Sequence, residues 1–330
     1  MENNPPIISF SVGDINGIGV EVFIKTFKEK KILTLCTPVL YANKEYFLNY
    51  ADDLNYKFKN IHIAKNIDDV KPKTLNIINI WEEKIKINYG IFEEKNSTYS
   101  IKSINQALKD IKEKKTAALI TLPVNKNIFK AKKIVGHTEY ISNFFNKISP
   151  LMMMCKNKLK ICIATTHVPI KNLSKKISKN LIKEKLKIFN ESLINDFKIK
   201  NPKIAILGLN PHAGDNGKIG FEEKNIIIPL IKNINKKISC FGPFAADSFF
   251  GSLNYKNFDG IMSLYHDQGL VAFKTLCFQK GVNFTAGIPI IRCSPDHGCG
   301  YDIAGKNLAN ENSLKQSVYL TLKIIKNRNA

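Results

Sequence analysis

The stretch Ile261-Met262-Ser263-Leu264-Tyr265-His266-Asp267-Gln268-Gly269 decides the fold class. A short apolar run stops abruptly at a histidine, an acid, an amide and a glycine. That pattern predicts a buried strand delivering a polar cluster at its carboxyl end. It occurs twice more. Ile161-Cys162-Ile163-Ala164-Thr165-Thr166 ends at His167, and Ile204-Ala205-Ile206-Leu207-Gly208-Leu209 ends at Asn210-Pro211-His212-Ala213-Gly214. Open α/β sheets bind ligands outside the carboxyl ends of their strands. Three histidines so placed can converge in space although they are far apart in the chain.

The rest of the sequence alternates short apolar strands with helical patterns, which predicts an α/β fold with a largely parallel sheet. Ile7 to Val12 reads as a strand, followed by a glycine-rich turn at 13–19 and a helix from Val20 to about Lys30. The turn departs from the dinucleotide pattern, because its glycines fall at 13, 17 and 19. Leu33 to Tyr41 reads as strand and Lys44 to Asp53 as helix. Ile101, Ile104, Leu108 and Ile111 mark one helix face. Leu151 to Cys155 and Lys160 to Ala164 form a strand pair around a turn. Ser178 is the expected N-cap of a helix through Phe197. Glu222 to Ile234 reads as one helix, and Phe244 to Ser248 as an acid-bearing loop. His62 and Trp81 are read as structural.

The chain has 330 residues, enough for two domains. Its net charge of +22 would suit a polyanion, but the lysines are spread along the chain among Glu, Asp and Asn. A solvated surface is the expectation, with no nucleic-acid partner. Arginine is rarer: Arg292 and Arg328 only. Arg292 stands in a glycine- and proline-rich segment, where a flat two-pronged donor suits a carboxylate or phosphate. The seven cysteines form no C-x-x-C pair and read as reduced thiols. With no signal-like start and no membrane-length apolar run, a cytoplasmic protein is expected.

Three histidines closing three strands predict a metal site with an open position. The metal would polarise a hydroxyl or generate a hydroxide, so alcohol oxidation and hydrolysis both stay open at this point. Lys274 and Arg292 can hold anionic groups. Gly136-His137-Thr138-Glu139 ahead of a helical run can cap a helix and bind an anion. In the loop 296–310 small residues would let a flat ligand lie on backbone, with Asp302 placed to hold ribose hydroxyls.

Taken in order, Gly13-x-x-x-Gly17-Ile18-Gly19, Gly136-His137-Thr138-Glu139, Ala164-Thr165-Thr166-His167, Gly208 to Gly214, Tyr265 to Gly269, Gly281-Val282-Asn283 and Asp296-His297-Gly298 resemble the 4-hydroxythreonine-4-phosphate dehydrogenase family over nearly the whole chain. Asp302-Ile303-Ala304-Gly305-Lys306 and the opening turn are also similar to the isocitrate and isopropylmalate dehydrogenases. The resemblance implies two α/β/α domains with an active-site cleft between them. Residues 1–132 and 290–330 would form the terminal domain with most of the cofactor site. Residues 133–289 would carry metal ligands and dimer contacts. It implies that His167, His212 and His266 bind one divalent metal (Zn, Mg or Co). His137, Thr138, Lys274, Asn283 and Arg292 would contact a small phosphorylated amino-acid substrate. Gly13, Asp14, His297, Gly298, Asp302 and Asn310 would contact NAD or NADP, and Asp247 or Asp267 would act as base. It further implies a homodimer with a shared site and no membrane association.

The implied reaction is oxidation of 4-phosphooxy-L-threonine to 2-amino-3-oxo-4-phosphooxybutanoate. That product decarboxylates to 3-amino-2-oxopropyl phosphate, in pyridoxal 5'-phosphate biosynthesis. The sequence departs from many members at Leu122 and Asn125, where they carry Gly and His, and at Asp14, where they carry Glu. The alternatives are a related dehydrogenase of another phosphorylated hydroxy acid, a three-histidine hydrolase, and a nucleic-acid binder.

Overall fold

The structure is a computed structural model that describes residues 4–58, 60–132, 136–146 and 149–330; for 130–132 only the backbone is described. Its strands are β1 (Ile7–Ser11), β2 (Thr37–Ala42), β3 (Ile61–Ala64), β4 (Leu75–Asn79), β5 (Ala118–Thr121), β6 (Leu151–Lys156), β7 (Leu159–Ile163), β8 (Ile204–Leu207), β9 (Cys240–Phe244), β10 (Gly260–Ser263), β11 (Val282–Ala286) and β12 (Arg292–Pro295). The chain divides into two compact units, 1–148 with 288–326, and 149–287 with 327–330. The domain boundary expected at 132/133 falls where the described residues stop, residues 133–135 lying outside them. The helix His137–Phe144 belongs to the first unit, where Tyr140 and Ile141 bury against Phe129 and Leu108.

In the first unit the described strands run in the order β3-β4-β2-β1-β5-β12. Every pairing there is parallel. Val39 and Leu119 pack with Ile104, Leu108 and Ile111 of the helix Ser97–Lys112, which is the face predicted from spacing. Near-continuous apolar strands suit a parallel sheet covered on both faces.

In the second unit the order is β11-β6-β7-β10-β8-β9. β6 and β7 form the expected hairpin, with Met153 opposite Cys162 and Asn157 in the left-handed region at φ 50°. From β7 through β10 and β8 to β9 the pairing is parallel. Ser178 caps its helix, accepting from the Leu181 amide at 3.2 Å.

Two elements differ from expectation, and one expected helix carries an irregularity. Leu33 to Tyr41 is not one strand: Lys30–Leu33 is a helical turn and the strand begins at Thr37. Apolar content alone does not separate one buried helical turn, anchored here by Ile32, from an extended segment. The helix expected from Glu222 to Ile234 opens with a π turn at Glu223–Ile227, where the Glu223 carboxylate turns inward. The loop around Asp247 is the short helix Ala246–Gly251, pinned by buried Phe249.

Candidate active site

The order β7-β10-β8 sets the three histidine-bearing strand ends side by side in one parallel sheet. Their loops are stitched together. The Ala164 amide donates to the Ser263 carbonyl at 2.9 Å, and Thr165 Oγ1 donates to the Leu264 carbonyl at 2.6 Å. Gln268 then bridges onward. Its Oε1 accepts from the Leu264 amide at 2.8 Å, and its Nε2 donates to the Gly208 carbonyl at 2.6 Å.

His167 and His266 have ring centroids 6.3 Å apart at an interplanar angle of 36°. His266 opens the helix His266–Cys277, with its Nδ1 2.7 Å from Asp267 Oδ1. A carboxylate on one ring nitrogen fixes the tautomer and leaves Nε2 as the ligand atom, the usual support of a metal-binding histidine. His212 is exposed on a turn that runs left-handed through His212, Ala213, Gly214, Asp215 and Asn216, with φ from 39° to 81°. Four of these are not glycine, and left-handed helix costs such residues roughly 1–2 kcal/mol each. Strain of this kind collects at ligand-holding segments and needs surrounding structure to hold it.

The donor chemistry fits a divalent cation: imidazoles on adjacent strand ends, exposed at His167 and His212 and half-buried at His266, the last oriented by a carboxylate. Two imidazoles on one ion hold their ring centres roughly 5–6 Å apart, given metal–nitrogen bonds of about 2.0–2.1 Å. At 6.3 Å the His167–His266 pair stands just wider than that range. Among the described residues, no three of His, Cys, Asp and Glu are gathered closely enough in this one chain to hold an ion.

Two further expected residues share this unit. Lys274 is exposed on the helix His266–Cys277, and Asn283 is half-buried on β11, its Oδ1 buried without a partner among the described residues. Asp267 engages His266, whereas Asp247 is exposed on a helix that packs against the His212 turn.

The first unit holds the other anion-binding candidates. Arg292 opens β12, is 2% exposed, and donates from Nη2 to Thr121 Oγ1 at 2.6 Å at the end of β5. Burial lowers its pKa to about 10. His137 is the first residue of its helix, with its ring 5.5 Å from that of Phe129. Desolvation, and after it the Arg292 charge, hold His137 well below the usual histidine range. It is therefore a neutral imidazole beside a buried cation. Thr138 is half-buried on the same first turn.

The glycine-rich turn is tied into its own unit. The amides of Asp14, Asn16, Gly17 and Ile18 are bonded to Pro123 O, Asp14 Oδ1, Asp14 O and Cys299 O. Asp14 also accepts from the Tyr301 hydroxyl at 2.6 Å, and Tyr301 accepts from Asn125 Nδ2 at 3.2 Å. Burial raises the Asp14 pKa. Sequence reading missed Tyr301, since a tyrosine among glycines carries no periodic signal. Beyond it, Gly298 is exposed with open space around it, and Asp302 is exposed. Asn310 Oδ1 accepts from the Asn312 amide at the start of the last helix. His297 Nδ1 lies 3.1 Å from the Gly298 carbonyl. His62 is bonded at 2.7 Å to the Asp69 carbonyl, and Trp81 is buried against Tyr46 and Tyr99, both structural as expected.

The profile of the family described as "Pyridoxal phosphate biosynthetic protein PdxA" matches residues 34–321. The 4-hydroxythreonine-4-phosphate dehydrogenase of Bacteroides thetaiotaomicron is 40% identical over 332 residues, covering 99% of this chain and 91% of that one. Its counterpart in a Sulfurihydrogenibium species is 39% identical, covering 96% and 97%. The crystal structure of the 4-hydroxythreonine-4-phosphate dehydrogenase from Klebsiella pneumoniae superposes with a TM-score of 0.83 at 27% identity, covering 98% of this chain and 99% of that one. The fold and these likenesses define the class, an α/β oxidoreductase of the dehydrogenase type. The chain belongs to the PdxA family of pyridoxal phosphate biosynthetic proteins.

Proposed function

We propose that this chain oxidises 4-phosphooxy-L-threonine with NAD or NADP to 2-amino-3-oxo-4-phosphooxybutanoate, which loses CO2 to give 3-amino-2-oxopropyl phosphate, for pyridoxal 5'-phosphate synthesis. The observation that carries the reading is the strand order β7-β10-β8, which makes neighbours of the segments bearing His167, His212 and His266. Full-length identity to dehydrogenases of that name supports the substrate.

A divalent cation (Zn, Mg or Co) held by these three histidines would polarise the substrate hydroxyl and lower its pKa. Lys274 and Arg292 supply cations for the substrate's anionic groups. His137, kept neutral, and Thr138 supply uncharged hydrogen bonds, and Asn283 supplies an amide. Asp267 orients His266, which leaves Asp247 as the better proton acceptor. Gly13, Asp14, His297, Gly298, Asp302 and Asn310 take the nucleotide. Open backbone at Gly298 and the exposed Asp302 carboxylate support that assignment. The protein works as a cytoplasmic homodimer with a shared site.

The test is turnover. Purified protein with divalent metal, NAD and 4-phosphooxy-L-threonine should give the absorbance of reduced nicotinamide. Phosphate release without it would favour a hydrolase. His212→Ala should lose metal and turnover while keeping its unfolding temperature; full activity in chelated buffer would contradict the metal reading.

A further inference from the structure

The left-handed turn that carries His212 is held from beneath by carboxylates: Glu222 Oε2 accepts from Asn210 Nδ2 at 2.8 Å, and Glu223 alone takes the backbone amides. Glu223 is 2% exposed on the π turn Glu223–Ile227. Its Oε1 accepts from the Leu209 amide at 2.6 Å and the Asn210 amide at 2.8 Å, while Oε2 accepts from Asn210 Nδ2 at 2.9 Å. Position 214 calls for glycine, because at φ 81° an added Cβ would stand 2.6 Å from Glu223 Oε2. Gly208 likewise lies against the carboxylate, and its carbonyl is the acceptor that ties this turn to Gln268 and the His266 helix.

We infer that Glu223 is the positioning residue of the histidine site: its buried carboxylate gathers the amides ahead of His212 and so fixes where that imidazole stands relative to His266. The inference rests on His212 being a metal ligand. A bare carboxylate matches this place because its three neighbours are all donors. A glutamine would set an NH2 against one of them. An orienting carboxylate one step behind a ligand commonly governs metal affinity about 10- to 100-fold. Glu223 acts through backbone rather than on the ring, so it touches neither substrate nor cation.

The experiment uses Co(II) titration of the whole apo-protein, followed by visible absorbance, together with hydrogen exchange of the 204–218 peptide. Glu223→Gln should bind Co(II) at least about tenfold more weakly than the parent and exchange faster at 209–216. Its unfolding temperature should stay near that of the parent. Gly214→Ala leaves every donor and acceptor in place but drives a methyl into the carboxylate. It should show the same two changes, and it keeps the test open should Glu223→Gln fail to fold. Faster exchange with unchanged Co(II) affinity would overturn the inference and reduce Glu223 to a structural part. If the parent binds no Co(II), the metal reading itself falls, whatever the variants do.

Discussion

Arg292 and His137 show how burial decides a residue's chemistry. A guanidinium at 2% exposure is disfavoured by desolvation, and an anionic ligand would restore what burial removes. Lysine cannot replace its planar fork. Arg292→Lys should raise KM for the phosphorylated substrate about tenfold or more, as expected from one lost charge-assisted bond. Steady-state kinetics checks this, and an unchanged KM would remove Arg292 from the substrate set. His137 offers a pH test. Its folded pKa is depressed, so below about pH 6.5 the unfolded chain takes up a proton that the folded chain refuses. Stability from this group is complete above that pH and is lost as pH falls, by up to about 1.4 kcal/mol per pH unit. Between pH 7 and pH 5, wild-type protein should lose more unfolding temperature than His137→Gln. Parallel losses would show that His137 titrates normally. His137 and Arg292 were both legible as candidates from their motifs. That the charge of one adds to desolvation in lowering the pKa of the other was not, because 155 positions separate them in the chain.

At the scale of elements, local pattern was a good guide wherever one period governed a segment. The helix Ser97–Lys112, the β6–β7 hairpin and the Ser178 cap follow directly from spacing and turn chemistry. It failed at Leu33–Tyr41, where a helical turn ends at Leu33 and the strand begins only at Thr37; the helix expected at Glu222–Ile234 forms, with a π turn that local pattern did not foretell. The helix His266–Cys277 rests on β10 through Gly269. A Cβ there would lie 2.5 Å from Ser263 Oγ and 2.6 Å from Ile163 Cδ1. Alanine would gain roughly 1 kcal/mol in helix propensity. Overpacking typically costs about 1–3 kcal/mol, so the clash wins. Gly269→Ala should therefore be destabilised by about 1 kcal/mol, read from denaturant midpoints. A stabilised variant would mean that the helix stands farther from the strand than the structure has it.

For the whole molecule, charge and thiols are the properties that no single element owns. The charge of +22 comes from lysines dispersed among acids, and no helix of the described residues is long and apolar enough to cross a membrane. Burial pushes the Cys36, Cys240 and Cys299 thiols up to about 12 and raises Cys162 well above the ordinary range. Such thiols are protonated and shielded, hence slow to react. Of the seven cysteines, Cys277 alone is more than marginally exposed. Thiol titration at pH 8 should count one fast group in native protein and seven after denaturation. Several fast groups in the native state would mean that the cores open readily.

The sequence alone determined the α/β class, most elements, and the histidines and arginine worth watching. Those properties live in short windows, where the two- and 3.6-residue periods and strand-end chemistry act. Tertiary structure alone decided that β10 lies between β7 and β8, that Glu223 braces the His212 turn from within, and that Tyr301 closes on Asp14. The physical reason is range. These arrangements rest on hydrogen bonds and desolvation between groups brought together only by packing, and composition or spacing along the chain does not encode which polar group a buried one will meet.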